Sequence, residues 1–253
     1  MTTDVAVMTR RGLVLMARSP ATMAAAAAMP IILLVLLSVS FGRVIMPGAP
    51  LADYVQFAAP LFATMGVVFG GLSTAVAAHQ DRTSGFDDRL RTLPMSPVAA
   101  LAGRIVADVV RNLATLVAIT AVAMVMGFRF ENGWIGVVAY VVLPLALGFG
   151  VAWFMVAVAM SANSVESMVA LLNATLLVAS FLSTGLVARE DLPGWAQAVA
   201  RVNPISHIVA AMREATTAGS PAVGGEAAIT LAWALGLTIV FGTLAVRGYR
   251  RRR

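Results

Sequence analysis

An all-α, polytopic membrane protein of six spans is the fold class this sequence predicts, and three observations predict it. The 253 residues are 60% hydrophobic and 12% charged, where a soluble domain is about a quarter charged. The apolar residues gather into runs of roughly 20 residues, the length a helix needs to cross a hydrocarbon core of about 30 Å. The 18 cationic residues are all arginine, and they crowd some gaps between the runs more than others. That asymmetry gives the chain an orientation.

The first element is a basic amphipathic segment over residues 5–19. On a helical wheel Val5, Met8, Gly12, Leu15 and Met16 share one face, and Arg10, Arg11 and Arg18 gather on the other. A helix there would lie in the interface with its arginines toward lipid phosphates. Six spans follow, over residues 21–41, 57–78, 105–128, 134–160, 167–187 and 227–246. Pro30 and Pro144 are bending points inside the first and fourth, which membrane helices tolerate. The first run begins after Arg18 at full spanning length with others behind it, so it reads as a span rather than a cleavable signal peptide. Twelve gap arginines fall on the side of both termini and five on the other, which places the termini in the cytoplasm. The chain, 1–253, is expected to be a single multi-pass domain of the cell membrane. Arginine to the exclusion of lysine, with heavy alanine and valine, suggests a GC-rich bacterial genome.

Two segments outside the spans are patterned. On the outer side, over residues 190–216, Leu192, Trp195, Val199 and Val202 recur at helical spacing. Asn203-Pro204 then supplies a capping residue and a proline at the first helical position. Two short helices dipping into the outer leaflet are expected, with Trp195 at headgroup level. On the cytoplasmic side, after the second span, Phe86, Leu90 and Leu93 follow one another at spacings of four and three. Around them Arg82, Arg89 and Arg91 alternate with Asp81, Asp87 and Asp88. A short charged helix over 81–93, stopped by Pro94 and Pro97, would turn this apolar stripe toward the bilayer or a docked protein.

Composition excludes several chemistries. Without lysine there is neither a phosphate-cradling P-loop lysine nor a Schiff base; if ATP drives this protein, another chain binds it. Without cysteine there are no disulfides, thiolate metal sites or thiol nucleophiles. His79 and His207 stand far apart with no carboxylate cluster, so no metal site is expected, and no convergent nucleophile and base suggest a catalytic site. The net charge of +6 flanks spans rather than forming the basic face of a soluble nucleic-acid binder. Arg104, Asp108 and Arg111, spaced four and three apart, stack on one face at the start of the third span. With Glu166 or a neighbouring subunit they form either a structural ion-pair ladder or part of a coupling path. Gly66, Gly70 and Gly71 point to close helix packing, and Asn163 and Asn173 to interhelical hydrogen bonds or substrate contact.

The run Gly85-Phe-Asp-Asp-Arg89-Leu90-Arg91-Thr-Leu-Pro94-Met-Ser96 resembles the signature of ABC type-2 exporter permeases, most of all the daunorubicin-resistance type. Asn203-Pro204-Ile-Ser-His-Ile-Val-Ala-Ala-Met-Arg213 is similar to that family's second landmark, an Asn-Pro element leading to an arginine before the last span. The resemblance covers nearly the whole chain. One departure is Asp81, where family members commonly have glutamate. The resemblance implies the membrane half of an exporter, with no cofactor bound by this chain. Its partners would be two cytoplasmic P-loop ATPase subunits, which hold the ATP and Mg, and a second permease, identical or paralogous. The 81–93 segment would be the coupling helix, meeting the ATPase through Gly85, Phe86, Arg89, Leu90, Arg91 and Pro94. The cargo it implies is drug-like or lipid-like, and Phe69, Asn173, Leu177 and Phe181 are candidate lining residues, with ordinary helix packing as the alternative. An ion-coupled secondary transporter would instead need deep paired acids or repeated broken helices. A membrane assembly subunit that transports nothing is not distinguished by residues alone.

Overall fold

The computed structural model describes residues 6, 7, 9, 10, 12, 14, 20–84 and 97–250. Among these the regular elements are helices: α1 (Pro20–Ile45), α2 (Leu51–Thr83), α3 (Pro97–Val125), α4 (Gly133–Ser161), α5 (Val165–Phe181), α6 (Gly194–Val202), α7 (Pro204–Thr216) and α8 (Gly225–Arg250). A single 3-10 turn, Arg189–Asp191, precedes α6. Five helices, α1 to α4 and α8, are long and apolar enough to cross a membrane, and α5 is a shorter apolar helix of 17 residues.

The helix limits differ from the apolar windows in instructive ways. α2 was expected over 57–78 but runs to 33 residues, about 50 Å at 1.5 Å per residue. Its polar continuation through His79, Gln80, Asp81 and Arg82 contains no glycine or proline, so the helix continues until Ser84 closes it on the carbonyl of Gln80. Asp81, Arg82 and Thr83 therefore belong to the last turn of α2, not to a separate 81–93 helix. The rest of that segment, 85–96, lies outside the described residues. α3 was expected from 105 and is already helical at Pro97. α5 departs the other way, stopping at Phe181 instead of 187. At about 25 Å it is shorter than a hydrocarbon core of about 30 Å, and its end is held by side chains of α7. The windows 21–41, 134–160 and 227–246 each extend by a few residues into α1, α4 and α8.

α2 is the central pillar, packed against α1, α3, α4, α5 and α7. Its small residues allow the close approach. A Cβ on Gly70 would lie 2.5 Å from Asn112 Oδ1 of α3, and one on Gly71 would lie 2.5 Å from Met155 Sδ of α4. Gly66, one turn away, faces Ile119 and Thr115. Backbones that meet through small residues gain dispersion contacts that a hydrocarbon solvent does not otherwise reward. The outer surfaces are apolar: Ile32, Leu36 and Val39 of α1 and Leu235, Ile239 and Val240 of α8 are exposed, as a lipid-facing wall should be.

The N-terminal segment touches α3, where Thr9 Oγ1 donates to the Gly103 carbonyl at 3.3 Å. At the opposite end of α3, Gln56 of α2 pairs with the main chain of Arg129: Nε2 donates to the Arg129 carbonyl at 3.0 Å, and Oε1 accepts from its N–H at 2.9 Å. Phe128, Phe130 and Tyr140 stack beside this joint with ring centroids 5.2–5.5 Å apart. Asn132 Nδ2 then ties the loop to the carbonyls of Glu214 and Ser220. The start of α2, the α3–α4 loop and α7 thus share one end of the bundle.

Candidate functional site

Besides the Gln56–Arg129 pair, three polar joints among the described residues fasten α2 to its neighbours. The first lies in its last turn. Helix α4 ends at Ser161 and leaves carbonyls without intrahelical partners. Arg82 reaches across to them: Nη1 donates to Ala159 at 3.1 Å and to Met160 at 2.5 Å, and Nη2 donates to Ala162 at 2.5 Å. A guanidinium at a helix C-terminus also meets the negative end of the helix dipole. Buried His79, one turn earlier, places Nδ1 3.4 Å from the Ala159 carbonyl. Ser164 then caps α5 by accepting from Ser167 N at 3.2 Å. The turn of α2 that leads directly into residues 85–96 is therefore bound to the α4–α5 connection.

The second joint lies in the interior of the α2–α3 contact. Asp108 and Arg111 form an ion pair at 2.8 Å, both side chains at or below 10% exposure. Such burial demands further partners, and α2 supplies them. Thr74 Oγ1 donates to Asp108 Oδ2, Arg111 Nη1 donates to Ser73 Oγ, and Arg111 Nη2 donates to the Gly70 carbonyl at 2.6 Å. Gly70 thus gives room to Asn112 and an acceptor to Arg111. Of the expected ion-pair face, Asp108 and Arg111 come together, and the side chain of Arg104 lies outside the described residues. Glu166 is exposed in the first turn of α5 and makes no ion pair among the described residues.

The third joint is at the opposite end. Asn203 Oδ1 accepts from Ile205 N at 2.9 Å, capping α7, while Nδ2 donates to the carbonyls of Ala179 and Leu182 at 2.6 and 3.2 Å. One amide therefore starts α7 and terminates α5. Arg213, at the far end of α7, donates from Nη1 to Thr184, from Nη2 to Gly185 and from Nε to Phe57 of α2, all at 2.8–2.9 Å. Its guanidinium lies 3.4 Å from the Phe57 ring centroid, a cation–π contact. Nearby, His207 sits between the Glu226 carboxylate at 2.6 Å and the Arg201 carbonyl at 2.9 Å.

The candidate lining residues divide between α2 and α5, which are in contact. Phe69 and Leu177 are partly buried against the core. Asn173 and Phe181 are exposed, and with Leu177 they recur every four residues along one face of α5. Gly85, Phe86, Arg89, Leu90, Arg91 and Pro94 lie outside the described residues. The sequence places Arg82 among the alternating charges of the 81–93 segment and among the orienting arginines; its bonds to the end of α4 follow from its place in the last turn of α2.

Residues 3–216 match the sequence pattern of the ABC-2 type transporter family. The chain belongs to that family. A daunorubicin resistance ABC transporter permease protein from Streptomyces coeruleorubidus is 33% identical over 226 residues, 88% of this chain and 78% of that protein. From Mycobacterium tuberculosis, the protein named "Probable doxorubicin resistance ABC transporter permease protein DrrC" is 32% identical over 251 residues, 96% of this chain and 87% of its own length. The doxorubicin resistance permease DrrB of the same organism is 28% identical over 189 residues. Membership in the ABC-2 family implies association with ATP-binding cassette subunits that use ATP. This ABC-2 chain is a membrane-embedded permease, and these relatives are bacterial.

Proposed function

We propose that this chain is the permease subunit of an ATP-driven exporter in a bacterial cell membrane, with both termini in the cytoplasm. Two such permeases, identical or paralogous, work with two P-loop ATPase subunits. The cargo is hydrophobic or amphipathic, in the chemical range of the daunorubicin and doxorubicin that appear in the relatives' names. Residues 85–94 seat on the ATPase, with Phe86 and Leu90 as anchors, since buried aromatic and apolar anchors dominate most interfaces. Arg89 and Arg91 add charge pairing and orientation.

The observation that carries this reading is the Arg82 joint. Any push on residues 85–94 enters the last turn of α2, and Arg82 ties that turn to the end of α4. Asp108 and Arg111 tie α2 to α3 further along. A displacement of the coupling segment would thus be shared by α2, α3 and α4 instead of being absorbed by a loose loop. ATP must bind one arrangement of these helices more tightly than the other, because equal affinity shifts nothing. Phe69, Asn173, Leu177 and Phe181 then line the route that cargo takes between α2 and α5. Asp108 is engaged by Arg111 and Thr74, an occupancy that fits a structural tie better than a proton carrier.

The test is co-purification with the cognate ATPase and uptake of daunorubicin into inverted vesicles, comparing wild type with Phe86→Ala and Leu90→Ala. The expected result is ATP-dependent uptake by wild type and loss of ATPase retention in both variants. Full retention with full uptake in both would remove the coupling role from this segment.

A further inference from the structure

The outer end of α5 stops inside the bundle, and its exposed carbonyls are answered from a single neighbouring helix. Ala179, Leu182, Thr184 and Gly185 all accept from side chains of the α7 segment: the first two from Asn203, the last two from Arg213. The bond is returned once, with Thr184 N donating to Ser206 Oγ at 3.3 Å. Within α5's own end, Ser183 Oγ donates to the Ser180 carbonyl at 2.6 Å and accepts from Gly185 N at 3.2 Å. A backbone break at membrane depth survives only where protein groups replace the missing helical partners, and here α7 supplies them at five points. Separating α5 from α7 would strand four carbonyls at once, whereas moving the two together strands none. To Arg213 itself α2 contributes one carbonyl and one ring, both from Phe57, while it packs along both α5 and α7 and donates from Thr64 Oγ1 to Met212 Sδ of α7 at 3.4 Å.

From this pattern we propose that Asn203 and Arg213 are positioning residues that weld the outer end of α5 to the α6–α7 hairpin. The two then travel as one body, steered by α2 through Phe57. The inference rests on the exporter reading and adds the part that moves at the exit. Arginine suits the task because its planar fork holds two successive carbonyls while its third arm reaches Phe57; a lysine ammonium offers no such geometry. No carboxylate pairs with Arg213 among the described residues, so backbone dipoles and the Phe57 ring are what compensate its charge.

The chain has no cysteine, so a disulfide can be introduced without background. In the permease–ATPase complex, Thr184→Cys with Ser206→Cys should cross-link with equal yield with and without trapped nucleotide. The oxidised complex should carry daunorubicin into proteoliposomes at no less than about half the reduced rate. A yield that falls when nucleotide is trapped, or uptake abolished by oxidation and restored by reductant, would overturn the single-body proposal. Arg213→Gln should lower the maximal uptake rate per reconstituted complex roughly ten-fold, leave the half-saturating drug concentration unchanged and retain the ATPase. Arg213→Lys should fail to rescue it. A variant whose uptake per complex matches wild type, with only membrane abundance reduced, would assign Arg213 to folding alone and sink its positioning role. Wild type that never transports would instead sink the exporter reading, so the two failures are separable.

Discussion

The two ends of α2 solve the same chemical problem with different wiring. At one end Arg82 caps Ala159, Met160 and Ala162, three acceptors that all belong to the close of α4. At the other end Arg213 binds the carbonyls of Phe57, Thr184 and Gly185, acceptors drawn from two separate elements. The first joint pins one helix to another. The second makes three segments depend on one side chain, so a fault there spreads further. The comparison teaches that arginine in this lysine-free chain serves as backbone hardware as well as topology marker. Its fork matches neighbouring carbonyls left open where helices end.

Breaking what lies between the ends should cost the most. Asp108→Asn leaves Arg111 buried without its anion, and removing one member of such a pair typically costs about 3–5 kcal/mol. Denaturation of the purified permease in detergent should show that loss, and the double variant Asp108→Asn, Arg111→Met should recover much of it. Equal stability of the single variant and wild type would mean that the ends are not joined through this pair. Next comes the simpler joint itself. Arg82→Ala removes charge-assisted bonds worth about 1.5–3 kcal/mol each. It should therefore reduce uptake about ten-fold or more while ATP hydrolysis continues, and tightly coupled hydrolysis in that variant would refute the lever.

At the far end, Asn203→Ala removes a helix cap worth about 0.5–2 kcal/mol and also frees the Ala179 and Leu182 carbonyls. Hydrogen exchange should quicken at the start of α7 and the end of α5 together; quickening in α7 alone would argue against the shared cap. The smallest effect concerns Glu214. Burial, then the neighbouring Glu226, push its carboxyl above the ordinary glutamate range. The folded state thus holds a proton that the unfolded state releases first. The associated stability is full below the ordinary range and is lost as pH rises through the raised value. Glu214→Gln should flatten that part of the stability–pH curve and be no less stable at neutral pH, as thermal unfolding across the acidic range would show.

The order of helices, the small residues of α2 and the Asn203-Pro204 start of α7 were legible because local chemistry decides them. Helix limits were less so. The apolar window ends at Ala78, but nothing in His79–Thr83 breaks a helix, so α2 outruns its hydrophobic stretch. Conversely α5 keeps an apolar sequence to 187 yet stops at Phe181, because its end is fixed by Asn203 and Arg213, partners some 20–30 residues away. A charge count treats Arg82 and Arg213 as members of a tally. It does not say which carbonyls they bind. For the same reason the sequence offers Glu166 as a partner for Asp108 and Arg111, whereas α2 engages both with Thr74, Ser73 and a glycine carbonyl.

The Gln56–Arg129 pair carries a consequence for ageing of the protein. Its side-chain amide imitates a peptide group, giving one bond and receiving one. Spontaneous deamidation would convert that group into a carboxylate, which keeps the acceptor and abolishes the donor. The Arg129 carbonyl would lose its partner, and a new anion would lie beside the aromatic cluster of Phe128, Phe130 and Tyr140. A lesion of a single atomic mass unit would thus loosen the loop between α3 and α4.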